Sequence, residues 1–220
     1  MAKRAGTTAP RLDAVRLLGL SDGEETALEA HEGLEGLRFS DLDLSHRDLS
    51  GITVSESSFT EITAHQTDFR AASFLDTRLE RVNAPIFLAP RSRFRDVEID
   101  GSRIGSADCY DANWQSVHIS NSKLGFVNLR GAVLQDVLFT NCSIDELDLA
   151  DASATRVSFV DCTLNSLDVT RAKLIDVDLR TLELRRIAGL EHLRGATMTS
   201  FQVAELAAMF AEQFGIRVED

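Results

Sequence analysis

Apolar residues recur at every fifth position along most of this chain. From Phe39 to Leu184, all thirty positions in this register carry an apolar side chain. Because 44% of the residues are hydrophobic, chance would produce an unbroken run of this length about once in 10¹¹ sequences. A period of five matches neither the helical period of about 3.6 residues nor the strand period of about two. The pattern therefore indicates an internal repeat.

A second inward position lies two residues before each of these central residues. Side chains two residues apart on an extended segment point to the same side, so each pentapeptide is expected to bury two residues and expose three. Arg47 is the one charged residue at this second position. Six residues there carry a hydroxyl that we expect to hydrogen-bond nearby backbone: Ser57, Thr67, Thr77, Ser92, Ser102 and Ser122.

The sequence also repeats with a longer period of twenty residues, which is four pentapeptides. Residues 131–150 align without gaps on residues 151–170. Four pentapeptides therefore form one four-sided coil, and equivalent sides of successive coils stack at a strand spacing of roughly 4.8 Å. Thirty pentapeptides predict about seven and a half coils and a rod of roughly 36 Å. One side collects large apolar residues: Phe39, Phe59, Leu79, Ile99, Ile119, Phe139, Phe159 and Leu179.

The repeat unit reads small residue, Asp or Asn, Leu or Phe, and two variable residues. It is clear in Arg47-Asp48-Leu49, in Thr67-Asp68-Phe69 and in Ala112-Asn113-Trp114. This pattern resembles the pentapeptide repeat proteins over residues 37–184. The resemblance implies an all-β solenoid, a right-handed quadrilateral parallel β-helix of pentapeptide repeats with a C-terminal α-helix.

Residues 185–220 are expected to cap the last coil, because a solenoid exposes unpaired backbone at its ends. Thr199 and Gln202 form a predicted capping box at a helix start, and Gly215 supplies the stop. The helix has a broad apolar face: Phe201, Leu206, Met209, Phe210 and Phe214. This face either plugs the last coil or forms a two-fold dimer, as in family members that inhibit gyrase, and the two roles are compatible.

Residues 1–36 precede the repeat and are expected to form a cap or a strip packed along one side. Residues 1–9 are predicted to be disordered. Three outward apolar residues are candidates for what the strip covers: Ile86, Leu88 and Phe126. The segment Pro85–Pro90 is interpreted as an interruption of the repeat.

The composition and the residue spacings indicate which kinds of function to expect. A formal charge of −12 and a pI of about 4.8 are not typical of a protein that binds nucleic-acid phosphates directly. No nucleophile constellation and no metal-ligand spacing among the five histidines is evident, so we expect no enzyme activity, no cofactor and no metal. Cys109, Cys142 and Cys162 are expected to be packed thiols, and a stretch able to span a membrane or a signal peptide is not found. A cytoplasmic location is the expectation.

Sorting the exposed positions by coil side gives one acidic column: Asp48, Asp68, Asp108, Asp148 and Asp168, with Leu88 and Asn128 at the intervening steps. A second column contains Asp136 and Asp176 among mixed residues: Glu56, Asp76, Asp96, Ser116, Asp136, Arg156 and Asp176. Two interpretations are open. The carboxylates either form local backbone hydrogen bonds or present an acidic face to a partner.

The resemblance extends to the loop-free fluoroquinolone-resistance members of the family, whose dimers mimic DNA and bind DNA gyrase. It implies a protein partner, gyrase, bound by a homodimer joined through the C-terminal helix, with a role in quinolone or toxin resistance. The alternative is a scaffold or regulatory module whose partner contacts Pro85–Pro90 or the arginine-rich first half of the repeat.

Overall fold

The computed structural model describes residues 6–219. Within them the chain forms nineteen short strands, two 3-10 turns and two helices. The strands in chain order are β1 (Ser21–Asp22), β2 (Gly33–Glu35), β3 (Leu37–Ser40), β4 (Thr53–Ser55), β5 (Ser58–Thr60), β6 (Thr67–Asp68), β7 (Ser73–Glu80), β8 (Asn83–Leu88), β9 (Arg93–Asp100), β10 (Arg103–Asp108), β11 (Asn113–Ser120), β12 (Lys123–Asn128), β13 (Val133–Thr140), β14 (Ser143–Asp148), β15 (Ser153–Val160), β16 (Cys162–Asp168), β17 (Lys173–Asp178), β18 (Leu182–Ala188) and β19 (Ala196–Thr197).

All strand pairs are parallel and belong to two sheets. The first sheet holds twelve strands, β1 to β5 together with the odd-numbered strands from β7 to β19, and the second holds the even-numbered strands from β6 to β18. Paired residues are twenty positions apart from Gly33, opposite Thr53, to Ala188, opposite Asp168. The predicted coil of twenty residues is therefore confirmed, and the fold is a parallel β-solenoid of about nine turns.

The core follows the predicted pair of inward positions. Phe39 stacks on Phe59, and Phe139 stacks on Phe159, each with ring centroids 4.9 Å apart. The six inward hydroxyl residues are all buried. Each donates a hydrogen bond to a backbone carbonyl, as expected; Thr67 Oγ1, for example, donates to the carbonyl of Leu44 at 2.8 Å.

Pro85–Pro90 does not interrupt the solenoid, and that expectation is wrong. Strand β8 keeps the twenty-residue register with β10, pairing Phe87 with Ala107 and Leu88 with Asp108. Prolines are tolerated in a ladder only where no backbone N–H is needed. Pro90 meets this condition, because the residue two positions before it, Leu88, has no side-chain acceptor that would need an N–H.

The N-terminal residues 6–20, here called the strap, lie along the outside of the first sheet. The backbone N–H of Asp13 donates to Ser116 of β11 at 2.9 Å, and Thr7 hydrogen-bonds Thr197 beside the last coil. The strap does not lie on the second sheet, where Phe126 is 36% exposed, so the expectation that a strip covers Ile86, Leu88 and Phe126 is wrong. The expected disorder of residues 1–9 falls in part on residues 1–5, which lie outside the described residues.

A short cap closes the first coil after the strap. A 3-10 turn spans Glu25–Ala27, and Leu28 behind it is buried. Arg47, the charged residue at an inward position, donates to the backbone carbonyl of Leu28 and reaches the Glu25 carboxylate at 3.3 Å. The charge of Arg47 is therefore paired with polar groups of the cap and not with the apolar core.

The C-terminal cap consists of two helices, α1 (Ser200–Glu205) and α2 (Ala207–Gln213). The predicted capping box of Thr199 and Gln202 is present. Gln202 also donates to the carbonyl of Leu179 at 2.6 Å, so its side chain satisfies backbone of the last coil. The chain leaves helical geometry at Leu206, whose side chain is buried at the coil end, and this anchor divides the expected single helix. Neither helix of the described chain is long or apolar enough to cross a membrane.

Candidate functional site

The predicted acidic column is a continuous stack on the second sheet, here called the aspartate ladder. Successive members face each other one coil apart, for example Asp148 opposite Asp168. The stacked positions are Asp48, Asp68, Leu88, Asp108, Asn128, Asp148 and Asp168. The twenty-residue period therefore predicted the stacking of these residues correctly.

Most ladder side chains have a local structural role. The Oδ1 atom accepts the backbone N–H of the residue two positions later at the coil corner. Asp148 accepts from Ala150 at 2.8 Å, and Asp168 accepts from Thr170 at 2.8 Å. The same contact occurs at Asp48, Asp68 and Asn128. This Asx turn explains the preference for Asp and Asn in the repeat; at Asp48 the hydrogen bonds from Ser50 lower the pKa of the carboxyl.

The gap in the ladder at Leu88 supports this structural role. The residue two positions after Leu88 is Pro90, which has no N–H to donate. An acceptor at position 88 would therefore have no partner there, and the ladder carries an apolar side chain instead. Leu88 and Pro90 form a matched pair in which both the acceptor and the donor are absent.

Two ladder carboxylates are also neutralised by arginine. Arg130 reaches Asp148 at 2.7 Å, and Arg70 reaches Asp68 at 3.1 Å. The hydrogen bond to Asp148 raises the pKa of Arg130. Asp148 is only 7% exposed. Because a buried, paired carboxylate offers little charge to a partner, the accessible charge of the ladder lies at Asp48, Asp108 and Asp168.

Two exposed acidic side chains in the second half of the second sheet lie beside the ladder, on β14. Asp145 and Glu146 are both exposed. Their neighbours one coil away are uncharged: Gly125 and Asn165 flank Asp145, whereas Phe126 and Ser166 flank Glu146. Together with Asp168 they form what we call the acidic patch. Comparing each carboxylate with positions twenty residues away would have identified this patch from sequence.

The second predicted column lies where the long strands of the first sheet bend, and it is called the corner column here. Each member has a left-handed backbone, with φ values from 46° at Asp76 to 59° at Asp136. Short polar residues tolerate this conformation better than most. The column contains Glu56, Asp76, Asp96, Ser116, Asp136, Arg156 and Asp176. The bend explains why polar residues recur here.

Asp136 of the corner column lies in a closed contact. Arg156 donates to both of its oxygens, at 2.5 and 2.6 Å, and the backbone N–H of Arg11 in the strap donates at 2.8 Å. Burial alone would raise the pKa of Asp136, but these hydrogen bonds outweigh it and lower the pKa below its usual value. Asp136 is 5% exposed and does not share a surface with the acidic patch, whereas Asp176 is half-buried.

The apolar residues of the C-terminal helices divide into two groups. Leu206 is buried, and Met209 and Phe210 pack partly buried against the core. Phe201 and Phe214 are 69% and 64% exposed. This exposed group also includes Ile216 and Val218, which follow α2 in the chain. Part of the predicted face therefore caps the last coil, and part is left on the surface.

The described residues show the expected packed thiols. Cys142 and Cys162 are stacked one coil apart as free cysteines, and the Cys142 backbone N–H donates to Sγ of Cys162 at 3.3 Å. Burial raises the pKa of the Cys109 thiol.

Across residues 6–219, no three His, Cys, Asp or Glu side chains are placed to hold a metal ion. Two cavities inside the coils measure about 30 Å³ each and are lined by apolar side chains.

Comparison with family models found no match, and comparison with curated proteins found none either. Solved structures of similar shape include a trypsin-treated variant of QnrB1, a plasmid-mediated fluoroquinolone resistance protein (19% identity, 87% of this chain, 91% of that chain, TM-score 0.40). Full-length QnrB1 is 13% identical over 81% of this chain and 100% of that chain, with a TM-score of 0.31. HetL is a pentapeptide repeat protein involved in heterocyst differentiation regulation from the cyanobacterium Nostoc sp. strain PCC 7120 (16% identity, 76% of this chain, 91% of that chain, TM-score 0.25).

Likenesses this distant carry no information about function. The repeat of five, the coil of twenty and the parallel register make this chain a pentapeptide-repeat β-solenoid by its own geometry.

Proposed function

We propose that this pentapeptide-repeat solenoid is a non-enzymatic binding protein of the cytoplasm whose partner is a DNA-handling enzyme, DNA gyrase. In this proposal the acidic patch of Asp145, Glu146 and Asp168 takes the place of DNA phosphates in a basic groove of the enzyme. The observation that carries the proposal is that Asp145 and Glu146 are exposed, Asp168 is half-buried, and none of the three has an arginine partner among the described residues. Complementary charge of this kind directs specificity and association rate.

The structure changes which residues we assign to the interface. Asp136 and Asp148 were candidates by sequence, but each is buried and paired with an arginine. We therefore assign them to stability. Asp168 remains a candidate from the aspartate ladder, and Asp145 and Glu146 join it.

We further propose that two copies form a homodimer through the exposed part of the C-terminal cap. Large apolar side chains that are mostly exposed mark interaction surfaces when they lie together, and Phe201 and Phe214 are both more than half exposed. A two-fold contact at this end would join the rods end to end. The acidic second halves of the two solenoids would then lie at the middle of the dimer.

A supercoiling assay with purified gyrase tests the partner. We expect the protein to inhibit supercoiling, or to protect gyrase from a fluoroquinolone, at micromolar concentration. The triple variant D145K/E146K/D168K should lose this effect. A protein without effect at micromolar concentration would refute the gyrase proposal.

A matched control separates the acidic patch from total charge. The variant E29K/E32K/E35K makes the same change in net charge at three exposed positions near the opposite end of the rod. It should retain the activity of the unmodified protein. If both triple variants lose activity equally, then net charge rather than the acidic patch governs binding.

Light scattering tests the dimer. F201S/F214S should convert a dimer to a monomer without lowering the melting temperature much, because both side chains are exposed. A monomeric unmodified protein would refute the dimer.

The scaffold alternative is favoured by one observation on the second sheet. Phe126 is 36% exposed, and Ile86 and Leu88 are partly exposed on the same sheet. A partner that contacts this surface would be unaffected by the lysine variants of the acidic patch. Retained function in D145K/E146K/D168K together with loss in F126S would favour this alternative.

A further inference from the structure

A column of hydrogen-bond donors lies on the outer face of the second sheet. Its members each precede a central residue and are paired in register one coil apart, on β8, β10, β12, β14 and β16. We call this the donor column: Asn83, Arg103, Lys123, Ser143 and Thr163. All five side chains are exposed, and none of them is a carboxylate. The donor column therefore presents amide, cationic and hydroxyl groups to solvent.

Two cations are stacked in the middle of the donor column. Arg103 of β10 pairs in register with Lys123 of β12, and no other two cations of residues 6–219 lie twenty positions apart. Neither forms a salt bridge with a described residue. Like charges directly opposite each other on neighbouring strands are destabilising. This part of the sheet therefore carries positive charge that the described residues do not neutralise.

Stacked arginines elsewhere in the solenoid are neutralised by the neighbouring coil. Four of them pair with a carboxylate twenty residues away, at 2.5–3.0 Å: Arg78 with Glu98, Arg81 with Glu61, Arg156 with Asp136 and Arg171 with Asp151. Arg103 instead has Asn83 and Lys123 at the two positions one coil away. An anion from outside the chain would supply the charge that is missing at this stack.

The two cations border a trough whose floor is bare backbone. Gly105 and Gly125 follow the central residues Ile104 and Leu124, which are paired in register. A Cβ on Gly125 would lie 2.1 Å from the carbonyl oxygen of Gly105, and a Cβ on Gly105 would lie 2.5 Å from that of Pro85. Side chains are thereby excluded from the floor, and an open trough of about 310 Å³ remains. This volume is at the lower end of the range for small-molecule sites, and glycine in a strand often marks the close approach of a ligand.

Negative charge lies at one end of the trough. Asp145 is the one carboxylate among the described residues that line it. Asp145 and Glu146 lie on β14, one coil after Lys123 and two coils after Arg103. The other end holds the uncharged Asn83, whose amide can donate a hydrogen bond. An anion is therefore favoured at the end of the trough near Arg103.

We propose that the trough binds a phosphate group, either free or carried by a small molecule, and that Arg103 and Lys123 hold this group between them. A guanidinium donates two parallel hydrogen bonds to phosphate oxygens, and the lysine ammonium adds a second positive charge. The glycine floor leaves room for the organic part of a phosphate ester. A net charge of −12 opposes the binding of a polyanion, so the ligand is a small molecule and not a nucleic acid. The proposal does not depend on gyrase.

Isothermal titration calorimetry of the full-length protein at low ionic strength tests the site with three probes: inorganic phosphate, adenosine monophosphate (AMP) and adenosine. Phosphate and AMP should bind, and adenosine, which lacks the phosphate group, should not. Tighter binding of AMP than of phosphate would identify a phosphate ester as the ligand, whereas equal affinity would identify free phosphate. The proposal is overturned if neither phosphate nor AMP binds, or if adenosine binds as tightly as AMP.

A pair of double variants separates the stacked cations from total charge. R103Q/K123Q removes both cations at exposed positions and should weaken AMP binding by more than about tenfold, because charge-assisted hydrogen bonds are the strong ones. R185Q/R186Q removes the same charge from two exposed arginines of β18, on the same sheet, and should bind AMP like the unmodified protein. An equal loss in both variants would show that net charge alone attracts the probe, against the proposal.

A single charge reversal fills the site from within the chain. A glutamate at position 123 would lie one coil after Arg103, as Glu98 lies one coil after Arg78. We expect K123E to lose phosphate and AMP binding while its melting temperature is at least that of the unmodified protein. R185E makes the same change in charge and should keep both ligands. Binding that survives in K123E would place the anion elsewhere and contradict the proposal.

Discussion

The two arginine–aspartate pairs at Asp136 and Asp151 provide a matched experiment on burial. In each pair the arginine lies one coil after the aspartate and contacts both carboxylate oxygens at 2.5–2.6 Å. Both aspartates have left-handed backbones, with φ of 59° and 60°. The substitutions D136N and D151N therefore remove the same charge from the same local geometry, and Asn tolerates that backbone conformation.

The pairs differ in their exposure to solvent. The side chains of Asp136 and Arg156 are 7% and 19% exposed, whereas those of Asp151 and Arg171 are 42% and 59% exposed. Removing one partner of a fully buried pair costs about 3–5 kcal/mol. Because Arg156 retains some contact with water, we expect D136N to lower the free energy of unfolding by about 2–3 kcal/mol. D151N should cost much less, because the Asp151 pair is largely exposed to water and exposed pairs contribute little to stability.

Urea unfolding followed by far-UV circular dichroism and by the fluorescence of Trp114, the one tryptophan, measures both values. Coincident transitions by the two probes would support a two-state analysis. Equal destabilisation by D136N and D151N, or a larger effect of D151N, would refute the argument that the strap and the corner column bury the Asp136 pair.

Three further predictions follow from individual contacts. Folding lowers the pKa of Asp136. The stability that this carboxylate contributes is therefore complete above its ordinary pKa of about 3.8 and is lost as the pH falls through the lower pKa of the folded state. The melting temperature of D136N should fall less between pH 5 and pH 3 than that of the unmodified protein. A thiol-reactive dye should modify the three cysteines slowly in the native protein and label three thiols in denaturant, because all three side chains are buried from solvent and thus from the reagent. Rapid labelling of the native protein would contradict the packing. T199A removes the capping box and should destabilise α1 by about 1 kcal/mol, seen as faster hydrogen exchange in Ser200–Glu205 with unchanged exchange in β13.

The sequence predicts the solenoid well because a single spacing determines its geometry. Once twenty residues make a coil, the neighbours of any residue are known, and the stack of Phe139 on Phe159 follows directly. The same rule places Asp148 opposite Asp168. Local hydrogen bonds then account for polar residues at repeated positions, as the pair Leu88 and Pro90 shows.

The segments outside the repeat could not be placed in this way. The strap is held by backbone N–H groups at Arg11 and Asp13. Because almost every residue type has such a group, the sequence does not indicate which residues make these contacts. The accessibility of the carboxylates depends on the strap and on arginine contacts such as Arg130 with Asp148. An acidic column in sequence therefore contains both structural and accessible carboxylates.

The affinity of the full-length protein for gyrase tests the proposed function most directly. We would measure Kd by biolayer interferometry for the unmodified protein, for D145K/E146K/D168K and for E29K/E32K/E35K. We expect micromolar or tighter binding that weakens with salt, loss of binding in the acidic-patch variant and little change in the control. No binding by the unmodified protein, or equal binding by all three, would contradict the proposal that the acidic patch binds this partner.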